Sequence, residues 1–437
     1  MKTTYFILLL LSISQFLQAQ IVHIPDPNFK AALLAEQVFV NTNGDNEIQL
    51  SEAQACPVLV MQNNNINDIT GIEEFINLRN AVFFNNNITT ADFTGLNKLV
   101  SIKLQNNQLT SITLPLADTA LIELYLQNNQ LTKVTLPNKL GDLQYLNLSY
   151  NQLDSIDLSN VTPTTRYNKV HHNQLTHITL PTNHRINLLD CSHNLLTNID
   201  FPRPPGGLDC SYNLFDSLWI PAQSRVVRCH NNPLLVFINE PGDTDTLICH
   251  HSNLSTFNIA INSDIRYLDF SHNNVDSFIA HSDAINYLNV SHNQLTRLIT
   301  GISDHNNNFS LNATNNPNLH CIETTSSLTN AYNSWTLDSQ TSVSADCQGI
   351  WSTTTLNHLP NISLYPNPTS SNQVQLDLGQ WYEQVAMVVY NSLGQEIQHL
   401  ELENTASTTL TLPSNAGFYL VKIQTPKAQA VLKVVKE

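Results

Sequence analysis

The stretch "NTNGDNEIQLSE", residues 41 to 52, places oxygen-bearing side chains at the spacing of a twelve-residue calcium loop. Asn41, Asn43, Asp45, the carbonyl of Glu47, Gln49 and Glu52 fall at the ligand positions, and Ile48 at the apolar eighth. The first position is Asn where Asp is usual, and the sixth is Asn46 where Gly is usual; Asn tolerates the left-handed turn needed there. Only Asp45 and Glu52 are firm anions, so calcium is the one cofactor to expect, and weakly bound. The plainer reading is a polar turn.

Cysteine and histidine come next. Cys191, Cys210, Cys229 and Cys249 recur about every twenty residues, each three positions before a recurring polar residue. As neighbours on paired strands they would stand about 4.8 Å apart, wider than the roughly 3.5–4.5 Å between Cβ atoms that a disulfide prefers. Buried thiols standing in for Leu or Val are therefore expected, and a zinc site lacks converging His. Cys321 and Cys347 are the expected disulfide, and Cys56 has no assigned role. His172, His193, His251, His272 and His292 also recur, with His171, His230 and His250 one place earlier. Such columns could bind metal or sense pH, but a merely exposed repeat position is the plainer reading. The chain has no G-x-S-x-G, no H-E-x-x-H and no phosphate loop, so no enzyme is expected.

The periodicity of these residues points to the element that holds them. Leu268-Asp-Phe-Ser-His-Asn273 is restated as Leu288-Asn-Val-Ser-His-Asn293. Aligned, the unit reads L-x-x-L-x-L-x-x-N-x-L-x-x-I/L, with its Asn at 64, 86, 107, 129, 151, 173, 194, 213, 232, 273, 293 and 316. A further unit with Ser252 in the Asn place fills the longer gap, giving thirteen in all. Each unit is a short strand, a tight corner and a return. Leu146 and Leu148 point inward from the strand, and Leu153 and Ile156 from the return. One coil cannot bury that set; stacked coils can. The amide offers donor and acceptor together, so a column of Asn can satisfy backbone groups where strand pairing stops. Ser252 should make a weak corner.

This period and consensus resemble the leucine-rich repeat family over residues 58–322. The resemblance implies a repeat solenoid of α/β type, with a parallel β-sheet on its concave face and a mostly irregular convex side. Residues 20–57 read as an N-terminal cap, with Asp26 as N-cap, Pro27 in the first turn, and Phe29, Leu33 and Leu34 apolar. That placement resembles the helical caps of bacterial internalin-type proteins. Residues 323–352, with Trp335 and Cys347, should close the last coil, and 353–362 form a linker.

Residues 363–437 change pattern to short alternating runs separated by Asn391-Ser392-Leu393-Gly394, Pro413-Ser414-Asn415 and Gly417, as in a small antiparallel β-sandwich. Leu364-Tyr365-Pro366-Asn367-Pro368-Thr369, then Tyr390-Asn391-Ser392-Leu393-Gly394, then Gly417-Phe418-Tyr419-Leu420-Val421-Lys422 with Lys433 and Lys436, resemble the C-terminal sorting domain of type IX secretion. That resemblance implies export across an outer membrane and engagement of the secretion machinery. The opening agrees: residues 1–19 read as a secretory signal, and no apolar run is long enough to span a bilayer in the mature chain.

The net charge of −16, from 35 acidic and 19 basic residues, leaves no basic face for nucleic acid. Binding must fall to outward positions of the repeat strands: Lys103, Tyr125, Tyr145, Asn147, Tyr167, Lys169, Asp190, Asp209, Arg228, Tyr267, Asp269, Tyr287 and Asn289. Tyr and Arg favour binding hot spots, although Tyr also simply suits a half-exposed strand. The expected function is an exported recognition protein with a protein ligand. A carbohydrate or matrix adhesin using the Tyr platforms, or a structural spacer, are the alternatives.

Overall fold

Each repeat unit delivers one three-residue strand whose middle side chain is buried, because alternate residues of a strand face opposite ways. The computed structural model describes residues 20–35, 40–115, 120–137, 143–220, 223–239, 242, 244–257, 265–280, 284–300, 309–324, 335–347, 357–359, 362–391, 395–426 and 428–437. The expected signal, most of the linker, and Ser392 to Gly394 of one sorting-domain motif lie outside them. The chain divides into two units: residues 1–214 with 223–229, and residues 215–222 with 230–437.

In the first unit nine such strands pair in parallel and in register. They run from Val58–Val60 and Asn80–Val82 through Ser101–Lys103, Glu123–Tyr125 and Tyr145–Asn147 to Tyr167–Lys169, Leu188–Asp190, Gly207–Asp209 and Val226–Arg228. In the second unit Thr246–Ile248, Tyr267–Asp269, Tyr287–Asn289 and Ser310–Asn312 do the same. Leu59, Leu124, Leu146, Leu189, Leu268 and Leu288 form the inward row. Asn168 occupies the same row, buried among apolar neighbours, and its Oδ1 has no hydrogen-bond partner.

The corner explains the recurring Asn. Asn151 Nδ2 donates to the Leu126 carbonyl of the preceding coil and to Leu148 of its own, each at 3.0 Å. Its Oδ1 accepts from Leu131 N at 3.0 Å. Asn107, Asn129, Asn173, Asn194, Asn213, Asn273, Asn293 and Asn316 repeat this triangle. One side chain thereby satisfies three buried backbone groups, each costing about 1–3 kcal/mol if left unpaired. Ser252 is too short: it is buried and its Oγ has no partner.

The return side carries more regular structure than the sequence pattern alone suggests. In the first unit Thr90–Asp92 pairs with Ser111–Thr113, and Ser155–Asp157 with His177–Thr179. In the second unit Ser217–Ile220 pairs with Val236–Asn239, and Ser277–Ala280, Arg297–Thr300, Cys321–Thr324 and Ser342–Ser344 form a parallel run. Buried Leu218, Phe278 and Leu298 alternate with outward neighbours there, which is strand periodicity.

Both ends of the array are closed. Asp26 Oδ1 accepts from Asn28 N and Phe29 N, opening helix Pro27–Leu34, while its Oδ2 accepts from Asn67 N and Asp68 N of the first coil. Burial pushes the Asp26 carboxyl up, but these donors outweigh it and hold it below its ordinary value. Phe29 and Leu33 are fully buried. At the far end Asp338 accepts from Asn315 N and Asn316 N, Trp335 packs edge-on to Phe309, and Cys321 and Cys347 are joined by a disulfide. Cys56, Cys191, Cys210, Cys229 and Cys249 are buried thiols outside the disulfide.

Residues 363–437 belong to a six-stranded sheet that is antiparallel except where Asn357–His358 joins it. Gln373–Tyr390 pairs with Glu396–Thr411 and Gly417–Gln424, and the latter with Ala428–Lys436. A register break between Asp377 and Tyr382 interrupts the long hairpin, and Val374, Leu376, Val385, Met387, Val421 and Ile423 make the core. Asn367 bonds the Lys433 carbonyl and the Val435 N–H, tying the Tyr-Pro-Asn-Pro segment to the last strand.

Candidate functional site

The outward side of the first unit's sheet presents two side chains per strand. The first outward row reads Glu123, Tyr145, Tyr167, Leu188, Gly207, Val226; the second reads Tyr125, Asn147, Lys169, Asp190, Asp209, Arg228. Lys103, Tyr125, Tyr145, Tyr167, Lys169, Asp190, Asp209 and Arg228 therefore share one surface. Tyr267, Asp269 and Tyr287 share the corresponding surface of the second unit.

The tyrosines stack on one another. Tyr145 and Tyr167 have ring centroids 6.0 Å apart, and Tyr125 and Tyr145 lie 6.5 Å apart. The second contact is diagonal, between the two outward rows, so strand adjacency alone does not reveal it. Lys103 is engaged locally: its Nζ lies 2.8 Å from Glu123 and 5.5 Å from the Tyr125 ring centre. Burial pushes the Tyr125 hydroxyl pKa up, and Glu123 and Tyr145 add to that. Burial also raises the Glu123 carboxyl, but Lys103 and Ser101 outweigh it and hold it low. In the second unit Tyr267 and Tyr287 stack at 4.4 Å, and burial beside Tyr267 and Asp269 pushes Tyr287 up to about 12.

The acids have a local duty as well. Asp190 Oδ1 accepts from the N–H and hydroxyl of Ser192, and Asp209 and Asp269 do the same with Ser211 and Ser271. Asn147 and Asn289 serve Ser149 and Ser291 in the same way. An Asp/Asn-x-Ser pattern beginning one residue after the strand's buried position is present in the sequence and signals this brace. Asp269 is doubly used, since its Oδ2 accepts from Asn289 Nδ2 at 3.1 Å.

Between Tyr167 and Arg228 the sheet surface dips into a cavity of about 200 Å³, lined by both outward rows. Gly207 causes it. A Cβ there would come within 2.4 Å of Leu188 Cδ2, so Leu188 lies across the place a side chain would fill. Leu188 is still 41% exposed. Burial and the neighbouring Asp190 raise the Asp209 carboxyl, against the Ser211 donors and Arg228.

A second column runs beside the corner. The residue before each corner position is left-handed, with φ of 57° at Asn85, 54° at Tyr150, 52° at His172 and 54° at His272. In the first unit the early members are amides: Asn85, Asn106 and Asn128 each donate to the preceding Asn at 2.7–3.0 Å. Rings follow, with Tyr150, His172, His193 and Tyr212 stacked at 4.3, 4.1 and 4.1 Å. In the second unit His251, His272 and His292 stack at 4.1 and 4.0 Å. Beside them His230 stacks on His250, whose Nδ1 lies 2.9 Å from His251 Nδ1. Burial lowers the pKa of His171, His172, His250 and His272, and adjacent imidazoles add to the effect. Among the described residues no group of three or more His, Cys, Asp or Glu is arranged to hold a metal ion.

The loop at 41–52 does bring its six named residues together, and they bond mainly to one another. Asn43 Nδ2 and Gln49 Nε2 both donate to Asp45 Oδ2. Glu52 Oε1 accepts from Thr42 N, Thr42 Oγ1 and Asn43 N, and its Oε2 from Gln49 N, forming a capping box on helix Leu50–Ala55. The Glu47 side chain turns to Lys30 at 2.7 Å, while Asn41 Oδ1 accepts from Gly44 N. A calcium ion would require the amides of Asn43 and Gln49 to release Asp45 and turn their oxygens inward, since both Asp45 oxygens already accept hydrogen bonds within the loop.

Comparison with known proteins finds two family models. Residues 363–437 match the secretion system C-terminal sorting domain, and residues 119–160 match leucine rich repeats in two copies. No curated protein matches the chain. Among solved structures, YopM from Yersinia enterocolitica WA-314 is 23% identical over 70% of this chain and 67% of that one, with a TM-score of 0.51. The functional domain of InlJ from Listeria monocytogenes, which includes a cysteine ladder, is 18% identical over 96% and 99%, with a TM-score of 0.36. The internalin InlF from Listeria monocytogenes is 16% identical over 74% and 97%, with a TM-score of 0.42.

Proposed function

The chain is a leucine-rich repeat protein ending in a type IX secretion sorting domain, exported to the cell surface or beyond it, and from that premise we propose that it is a non-catalytic recognition protein that binds a protein partner through the outward face of its repeat sheet. One observation carries the reading: the stacked tyrosines of the first unit run without interruption into a hollow rimmed by charge. Rigid aromatic area beside a concave, partly charged rim is what protein hot spots use. The sorting domain would engage the secretion machinery, and no basic face is offered to nucleic acid. A glycan platform is less well supported, because one face of each ring in the Tyr267–Tyr287 pair is covered by its neighbour.

The test is capture of surface proteins on the immobilised full chain, followed by affinity measurement with whatever partner is isolated. Replacing Tyr145 and Tyr167 together by Ala should weaken that affinity by at least tenfold, as for truncation of hot-spot side chains. An unchanged affinity, with the fold intact by circular dichroism, would remove the sheet face from the interaction. Signal on a glycan array that disappears in the same variant would favour the adhesin instead.

A further inference from the structure

We propose that the hollow over Gly207 seats the side chain of a single arginine presented by the partner polypeptide. The inference rests on the protein-binding reading above and gives that partner a chemistry.

Shape comes first. Along the first outward row the side chains fall from Tyr167 to Leu188 to none at Gly207, and Leu188 lies over the gap. The floor is therefore apolar, one wall is the ring of Tyr167, and the volume is about 200 Å³. That is room for one long side chain and not for a ring system with substituents. An arginine stem of three methylenes suits an apolar floor, and its planar head stacks on an aromatic face.

Charge selects the head group. The second row reads Lys169, Asp190, Asp209, Arg228, in register from strand to strand. Its two inner members are carboxylates on adjacent strands, an arrangement that costs stability when nothing lies between them. Each commits Oδ1 to its own serine. Asp190 Oδ2 meets only His171 Nε2, at 3.9 Å. Among the described residues no hydrogen-bond donor reaches Oδ2 of Asp209. Asp190 and Asp209 both line the hollow, in register on neighbouring strands about 4.8 Å apart, and a guanidinium fork can engage two carboxylates so placed where an ammonium offers only a point charge. Burial raises the Asp209 carboxyl and the neighbouring Asp190 adds to it, so an incoming cation would favour the charged acid.

The ends of the row restrict the neighbourhood. Lys169 and Arg228 bracket the acids, so one cation fits and a basic tract is repelled. The arginine should stand among neutral or acidic residues. At longer range the net charge of −16 draws a cationic group inward.

The experiment uses the full chain and two synthetic decapeptides of Gly and Ser with one central residue, arginine in one and its neutral isostere citrulline in the other, compared by fluorescence anisotropy. The arginine peptide should bind at least tenfold tighter than the citrulline peptide and tighter than a lysine version. Asp190→Asn with Asp209→Asn should erase the difference, as should Gly207→Val, which fills the hollow, with melting unchanged for the Asn pair. Equal binding of the arginine and citrulline peptides, or none by either, overturns the proposal. Failure here is separable from failure of the broader reading. If Tyr145→Ala with Tyr167→Ala abolishes partner binding while Asp190→Asn with Asp209→Asn does not, the face binds protein but the hollow takes no arginine. If neither variant changes partner binding, the face itself is wrong.

Discussion

Two columns of side chains stand next to each other at the corner of every coil, and they obey different rules. The inner column is buried and almost uniformly Asn, because Asn151 and its counterparts each satisfy three backbone groups on two coils. The outer column is the residue just before it, left-handed throughout, and its chemistry changes from amides at Asn85–Asn128 to rings at Tyr150–Tyr212. The inner position demands a specific donor and acceptor geometry. The outer demands only tolerance of positive φ and something flat to lie against its neighbour. Backbone need fixes identity in one column, and neighbour-to-neighbour contact permits variety in the other.

That contrast can be broken most directly by Asn151→Ala. It strands Leu131 N and the Leu126 and Leu148 carbonyls, and should cost on the order of 3 kcal/mol in urea unfolding. A loss below about 0.5 kcal/mol would mean that water replaces the amide and that the column is ornamental. The converse variant is Ser252→Asn, which supplies the missing bonds at that corner and should stabilise the protein by about 1 kcal/mol. If it destabilises instead, that coil has repacked around the hydroxyl.

The outer column and the histidines beside it should respond to acid. The pKa of His171, His172, His250 and His272 is lowered in the folded chain, so the unfolded chain binds protons first as pH falls. Stability present above the ordinary imidazole value of 6.5 should therefore decline as pH drops below it. Replacing His172 and His272 by Asn, the residue that fills this place at Asn85 and Asn106, should flatten the decline in a series of melts between about pH 7 and pH 5. A slope unchanged in that variant would trace the acid sensitivity to carboxylates. The smallest effect belongs to the loop at 41–52. With Glu52 consumed by its own loop, millimolar calcium should raise the melting temperature by no more than about 1 °C. A larger rise that Asp45→Asn abolishes would show that the Asn43 and Gln49 amides turn to serve the ion.

Much of this was legible in the one-dimensional pattern. Leu146 and Leu148 point inward as their alternation requires, and Tyr145 lies on Tyr167, and Tyr267 on Tyr287, as strand adjacency requires. The unpartnered hydroxyl of Ser252 follows from a missing amide at a position whose need is known. The diagonal contact of Tyr125 with Tyr145 was not legible, because it depends on how far the two outward rows lean together. The service of Asp190 and Asp209 to their own serines, by contrast, is written in the Asp-x-Ser spacing. Asn168 was hidden for another reason: a repeat consensus averages over units and conceals the single polar residue in an apolar row.

The sequence by itself determined the coil period, the identity of the inward row, the corner amide and the presence of an exported tail. Each of these follows from local alternation or from a backbone demand repeated every twenty residues or so, and such signals survive without coordinates. Only the tertiary structure decided which outward side chains meet and where the surface sinks. Gly207 reads as an ordinary small residue until Leu188 is seen lying over it and Asp190 beside Asp209. A hollow is a relation among four strands, and it exists only once stacking has set their register.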